Sequence, residues 1–239
     1  MDSIIEFFSK EQYDEREPST LLSMLLTLDL STCGGIVVQK DVDGAVSAHT
    51  QNEGGLEEGV YVVHGLVAAL DLPPITHKSQ LMPKPAWAKQ SISIVGLGTP
   101  SFDKALSTVY RPGCFEDWSP SHYGPFFALE FSNCYVTRIS SVRGQPAIFF
   151  TQQVDPNGVM ADILSSAGIH LDDNRVQYFC RDPTSEDGFV AEDPALFRIG
   201  QIVELQVSFT SVPLWGRKGM FRMATKLRAI AILDTYLQQ

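Results

Sequence analysis

Two alternating stretches near the C-terminus constrain this chain most. Gln201 to Val212 places Val203, Leu205, Val207 and Phe209 on one side and Glu204, Gln206, Ser208 and Thr210 on the other. A period of two is the signature of a strand with one buried face. Pro213-Leu214-Trp215-Gly216-Arg217-Lys218-Gly219 follows, with two glycines and a proline to turn the chain. Phe221 to Leu233 then alternates again. Phe221, Met223, Leu227 and Leu233 point one way, and Arg222, Lys226 and Arg228 the other. The pattern predicts a long β-hairpin, 201–234, with one apolar and one basic face. A helix over Met220 to Leu233 is the competing reading.

Upstream the texture is also that of strands. Gly35 to Lys40, Val60 to Leu70, Ser91 to Gly96, Phe126 to Ile139, Ala147 to Gln152 and Val176 to Cys180 are rich in β-branched and aromatic residues, with Gly or Pro nearby. Helical pieces are expected at Phe102 to Tyr110, Gly158 to Ala167 and Pro194 to Phe197, and two short helices before residue 33. Strands do not alternate regularly with helices. The expectation is therefore a mainly β or α+β fold, an antiparallel sheet or partly open, OB-like β-barrel. It divides into a helical segment over 1–32 and one β-rich domain over 33–239. Two Pro-rich connections, 72–85 and 111–125, and the acidic stretch Arg181 to Asp193 are long enough to be functional or mobile.

Composition excludes several classes. With 239 residues, 44% hydrophobic and 19% charged, the chain can bury a core and is not disordered throughout. No apolar run reaches the roughly 20 residues that span a bilayer. Met1-Asp2-Ser3-Ile4-Ile5-Glu6 lacks the basic start of a secretory signal and is too acidic for a mitochondrial presequence. Cys33, Cys114, Cys134 and Cys180 form no CxxC pair, so free thiols in an intracellular protein are expected, nuclear or cytoplasmic, while two disulfides stay open.

The net charge of -10 argues against a surface that coats nucleic acid, but the charge is uneven. Residues 1–60 carry 12 acids and 3 bases, 161–200 carry 8 and 3, and 201–239 carry 2 and 5. The basic end holds Trp215, Arg217, Lys218, Arg222, Lys226 and Arg228. On a strand, Lys226 and Arg228 stand about 6.6–6.8 Å apart on one face. That is comparable to the phosphate spacing of an extended single strand, and Trp215 could stack on a base. These six residues are the candidate nucleic-acid contacts, single-stranded more than duplex. The rival is self-association, with the basic face against acidic loops of a neighbouring copy, or against the protein's own. A third reading is an enzyme of unknown chemistry built on the Pro-rich loops.

Other motifs fall short. Val95-Gly96-Leu97-Gly98-Thr99-Pro100-Ser101 has Ser101 where a dinucleotide loop needs its third glycine, so an ordinary turn is expected. Asp41-Val42-Asp43-Gly44 begins like a calcium loop, but Ala45 sits at the next ligand position, so it reads as a turn between strands. His170-Leu171-Asp172-Asp173 puts an imidazole beside carboxylates, yet His49, His64, His77 and His122 are scattered. His64 lies in an apolar strand, where a hydrogen-bonded core histidine is expected. Cys114 with His122, or zinc held by Cys114, Cys134 and Cys180, lacks the usual spacing. No cofactor, metal or catalytic residue is expected.

Gly200-Gln201-Ile202-Val203-Glu204-Leu205-Gln206-Val207-Ser208-Phe209, then Val212-Pro213-Leu214, Phe221-Arg222-Met223 and Leu227 to Asp234, resembles the C-terminal block of short uncharacterised proteins that recur in mushroom-forming fungal genomes. The resemblance implies a fungal origin, a nuclear or cytoplasmic location and a link to mobile elements, and it carries no activity.

Overall fold

A computed structural model describes residues 36–40, 46–52, 55–58, 60–99, 102, 121–142, 144–186, 188–213 and 221–234. The strands are β1 (Ile36–Lys40), β2 (Val46–Asn52), β3 (Gly55–Glu58), β4 (Val60–Asp71), β5 (Lys89–Val95), β6 (Ser121–Tyr123), β7 (Phe126–Cys134), β8 (Gln177–Arg181), β9 (Phe189–Ala191), β10 (Ile202–Pro213) and β11 (Phe221–Asp234). One short helix, α1 (Val159–Leu164), lies between β7 and β8. The two helices expected before residue 33 lie outside the described residues.

Five strands close a circuit: β4 pairs β5, β5 pairs β7, β7 pairs β11, β11 pairs β10, and β10 returns to β4. The β7–β11 contact is parallel and the others are antiparallel. Counted in chain order, the barrel runs 1-2-3-5-4-1. That is the strand order of the OB barrel. Beyond the barrel, β10 continues to pair β2, which carries β1 and β3, and β11 continues into β8 and β9.

The barrel fills with the residues that alternation selects. Val63, Val67, Ile92, Ile94, Leu129, Phe131, Val203, Leu205, Val207, Leu227, Ile230 and Ile232 form one buried cluster. Gly65 is required where β4 crosses Ile94: a Cβ there would lie 2.9 Å from Ile94 Cβ. Ile202, Leu66, Val95 and Ala128 are register partners in succession across four strands, and they pack as a second cluster on the opposite face.

Several expectations are corrected. β11 is a strand, yet its alternation changes phase. Gln206 pairs Ala229 and Val207 pairs Leu227, so Arg228 is an extra, bulged residue. Leu227 is therefore followed inside by Ile230 and Ile232, while Leu233 joins the second cluster. β7 stops at Cys134, where Tyr135 N donates to Ala88 O and the chain leaves the sheet. Residues 147–152 form no strand and are mostly exposed. The piece at Pro194 is one 3-10 turn, Pro194–Leu196.

Candidate nucleic-acid interface

In an OB barrel the face of the second and third strands binds the ligand, together with the loops between the first and second and between the fourth and fifth strands. Here the second and third strands are β5 and β7. Opposite the core side they carry Lys89, Ser91 and Ser93 against Cys134, Ser132 and Glu130, in direct register, with Ser93 itself buried. Lys89 Nζ donates to Glu130 Oε1 at 2.7 Å, so the middle of this face is polar and locally neutral.

One rim of the face is the 72–88 loop. Ile75 and Leu81 are buried with Tyr135, Val136, Met160 and Leu164. Ile75 N donates to Val154 O at 3.0 Å. Gln80 Oε1 accepts from the backbone N of Thr76 and of His77, each at 2.9 Å. The loop is thus an ordered rim, tied to the segment that carries α1. A 3-10 turn, Pro85–Trp87, then leads into β5 and leaves Trp87 60% exposed. The Arg138 guanidinium carbon stands 4.1 Å from the Trp87 ring centroid, a cation-π geometry. Among the described residues neither Lys84 nor Arg138 is paired with a carboxylate.

Of the six sequence candidates, the structure brings together two. Lys226 lies opposite Ser132, where β7 and β11 touch. Beyond that point β8 replaces β7 as the partner of β11. The gap between β7 and β8 is closed by Asn133 and Asp173. Asn133 Nδ2 donates to Asp173 O at 3.0 Å and to Leu227 O at 3.1 Å. The Asp173 carboxylate accepts from Lys226 on one oxygen and from Arg228 Nη1, at 2.7 Å, on the other. Burial pushes the Asp173 carboxyl up, but Lys226 and then Arg228 outweigh it and hold it below the usual carboxylate range. Asp173 therefore offsets one of the two positive charges from within the chain. The Arg181 to Asp193 stretch folds on itself, with Asp182 Oδ1 accepting from Thr184 N at 2.8 Å. Arg222 sits in β11 opposite Val212, its side chain outside the described residues. Trp215, Arg217 and Lys218 lie outside the described residues altogether.

The remaining candidates separate. His64 is exposed, not a core histidine, and its Nε2 lies 2.8 Å from Glu204 Oε2. Leu97 and Gly98 form a plain turn closed by Thr99 N donating to Gly96 O at 2.9 Å. Among the described residues no three His, Cys, Asp or Glu groups converge on a metal position, and Cys134 and Cys180 are free thiols. Among them also, no helix is long and apolar enough to cross a membrane. Trp87 was not among the sequence candidates. Its signal was an aromatic between Lys84 and Lys89 at the end of a Pro-rich connection.

No family model and no curated protein matches the chain. Among solved structures, it is similar to the single-stranded DNA-binding protein of bacteriophage Enc34 in complex with ssDNA, at TM-score 0.38 and 11% identity over 85% of this chain and 97% of that one. It is also similar to that phage protein in a second structure, at TM-score 0.36 and 10% identity over 84% and 91%. The fold assignment rests on the strand circuit.

Proposed function

We propose that this chain binds single-stranded nucleic acid across the outer face of β5 and β7, with Trp87 as the stacking platform. The observation that carries this reading is Trp87 itself, 60% exposed on an ordered rim, with Arg138 at 4.1 Å. An aromatic ring held exposed on an ordered rim is available to stack on a base. Every base has a π-face, so stacking tolerates sequence, while Lys84 and Arg138 meet phosphates. The serines between them, Ser91 and Ser132, let a strand approach the sheet closely.

The hairpin adds Trp215, Arg217, Lys218 and Arg222 as proposed contacts on the strength of the sequence. Lys226 and Arg228 play a different part: a phosphate would have to displace Asp173 to reach them. The same pairing weakens the rival reading, because the acid on this basic face already comes from the same chain. Titration of wild type and Trp87→Ala with labelled single- and double-stranded oligonucleotides at several salt concentrations tests the proposal. Binding without salt dependence, or indifferent to Trp87, would overturn it.

A further inference from the structure

Away from the β5–β7 face, a cleft of about 220 Å³ opens between the foot of the barrel and the 149–154 and 170–177 segments. Its wall is aromatic. Phe150 and His170 stack with ring centroids 4.1 Å apart, and Phe149 at the cleft is 95% exposed. Phe179 and Val176 add apolar surface. Polar side chains line the rest, among them Gln90, Thr151, Gln153, Asn174 and Gln177. Gln90 is satisfied on both ends, accepting from the Tyr178 hydroxyl and donating to Asn174 O. Tyr135 is different: the residue is 2% exposed, lines the cleft, and its hydroxyl has no hydrogen-bond partner. A buried hydroxyl left unpaired is rare and calls for an explanation. A ligand that hydrogen-bonds it supplies one.

The cleft also specifies the ligand class. Its volume falls below the roughly 300 Å³ at which sites for drug-sized molecules begin, so it suits a single ring system. Its charged lining residues, Arg175 and Glu192, are of opposite sign, which does not favour a free anion. The aromatic wall favours a planar ring. Burial, and secondarily Asp71, keeps Tyr135 protonated, so the hydroxyl can donate and the ligand can supply an acceptor.

We propose that this cleft binds one uncharged nucleobase, its ring against Phe149 and Phe150 and a carbonyl or ring nitrogen on the Tyr135 hydroxyl. The base could belong to a free nucleoside or to a nucleotide within a strand. The site does not depend on Trp87.

The test is a titration of the ¹⁵N-labelled chain with adenosine, cytidine and uridine, and separately with short oligonucleotides, followed by NMR. Tyr135→Phe keeps the ring and removes only the unpaired hydroxyl. It is expected to weaken binding about fivefold without lowering the melting temperature. Phe149→Ser, at an exposed position, should weaken binding in a fully folded protein. Shifts near Thr151 and Gln177 with free nucleosides, lost in Phe149→Ser, would identify a free ligand. The same loss seen with oligonucleotides alone would identify a base within a strand. Trp87→Ala should leave the nucleoside shifts intact, which separates this site from the β5–β7 face. The proposal is overturned if neither probe responds to Phe149→Ser and Tyr135→Phe. It is equally overturned if indole occupies the cleft while no nucleoside or oligonucleotide does.

Discussion

The Asp173 carboxylate and Arg228 Nη1 meet at 2.7 Å, across 55 residues of sequence, at the point where the barrel would otherwise open between β7 and β8. The contact exists because Arg228 is bulged out of the β10–β11 ladder and because Asp173 lies in the 3-10 turn, Asp172–Asn174, that leads into the strand taking over from β7. Removing the carboxylate takes a charged acceptor away from both Lys226 and Arg228. Asp173→Asn should cost about 1–2 kcal/mol in urea unfolding at neutral pH, a modest figure because the Asp173 side chain is 43% exposed.

The same carboxylate sets a pH dependence. Its folded-state pKa lies below the ordinary value. The stabilisation is therefore complete above the unfolded carboxylate value of about 3.9 and is lost as pH falls through the folded one. Urea unfolding of wild type should weaken below about pH 4, and Asp173→Asn should flatten that fall. An equal fall in both proteins would assign it to other carboxylates.

Much of the barrel was legible in the sequence, and the reason is local. Val203, Leu205 and Val207 alternate because one face of β10 is buried, and all three are inside. The failures are non-local. Nothing in Phe221 to Leu233 marks Arg228 as the bulge, since the bulge is set by closure against β7 and β8. The acid that neutralises Lys226 lies 53 residues upstream. His170-Leu171-Asp172-Asp173 was set aside as a metal or acid–base site, and nothing local in it marked its use in an ion pair and a stacked ring. Trp87 was hidden for the opposite reason: a single aromatic in a proline-rich loop has no periodicity to betray it.

Closure of the barrel depends on a missing side chain. A methyl at Gly65 would stand 2.9 Å from both Cβ and Cδ1 of Ile94. Ile94 is fully buried, so it has nowhere to retreat. Gly65→Ala should destabilise by about 1–3 kcal/mol, as overpacked cores do, despite the better strand propensity of alanine. Chemical denaturation measures it, and an unchanged midpoint would show that β4 and β5 separate more easily than their register implies.

His170 offers a titration that can be followed directly. Burial lowers its pKa, against the opposing hydrogen bond of Nδ1 with Tyr135 O, and Arg175 lowers it further. Because the folded pKa is depressed, the contribution to stability is complete above the unfolded histidine value of about 6.5 and declines as pH falls below it. NMR titration of the imidazole should give a midpoint below 6.5. A midpoint above that value would mean that a cation is stabilised beside Phe150, and the cleft would then prefer an anion.

Trp87 gives the sharpest functional expectation. Stacking of one base is worth about 1–3 kcal/mol, so Trp87→Ala should weaken single-stranded oligonucleotide binding roughly five- to 150-fold. The ring is 60% exposed with Arg138 over it, so the variant should lose less than about 1 kcal/mol of stability. Salt dependence separates stacking from charge. Trp87→Ala removes no cation and should leave the slope of log K against log salt unchanged, with the whole line displaced downward. Arg138→Ala removes one phosphate contact and should make the slope shallower by about 0.7. Fluorescence anisotropy at four or so salt concentrations reads both. If Trp87→Ala changes the slope and not the offset, the indole positions Arg138 and does not hold a base.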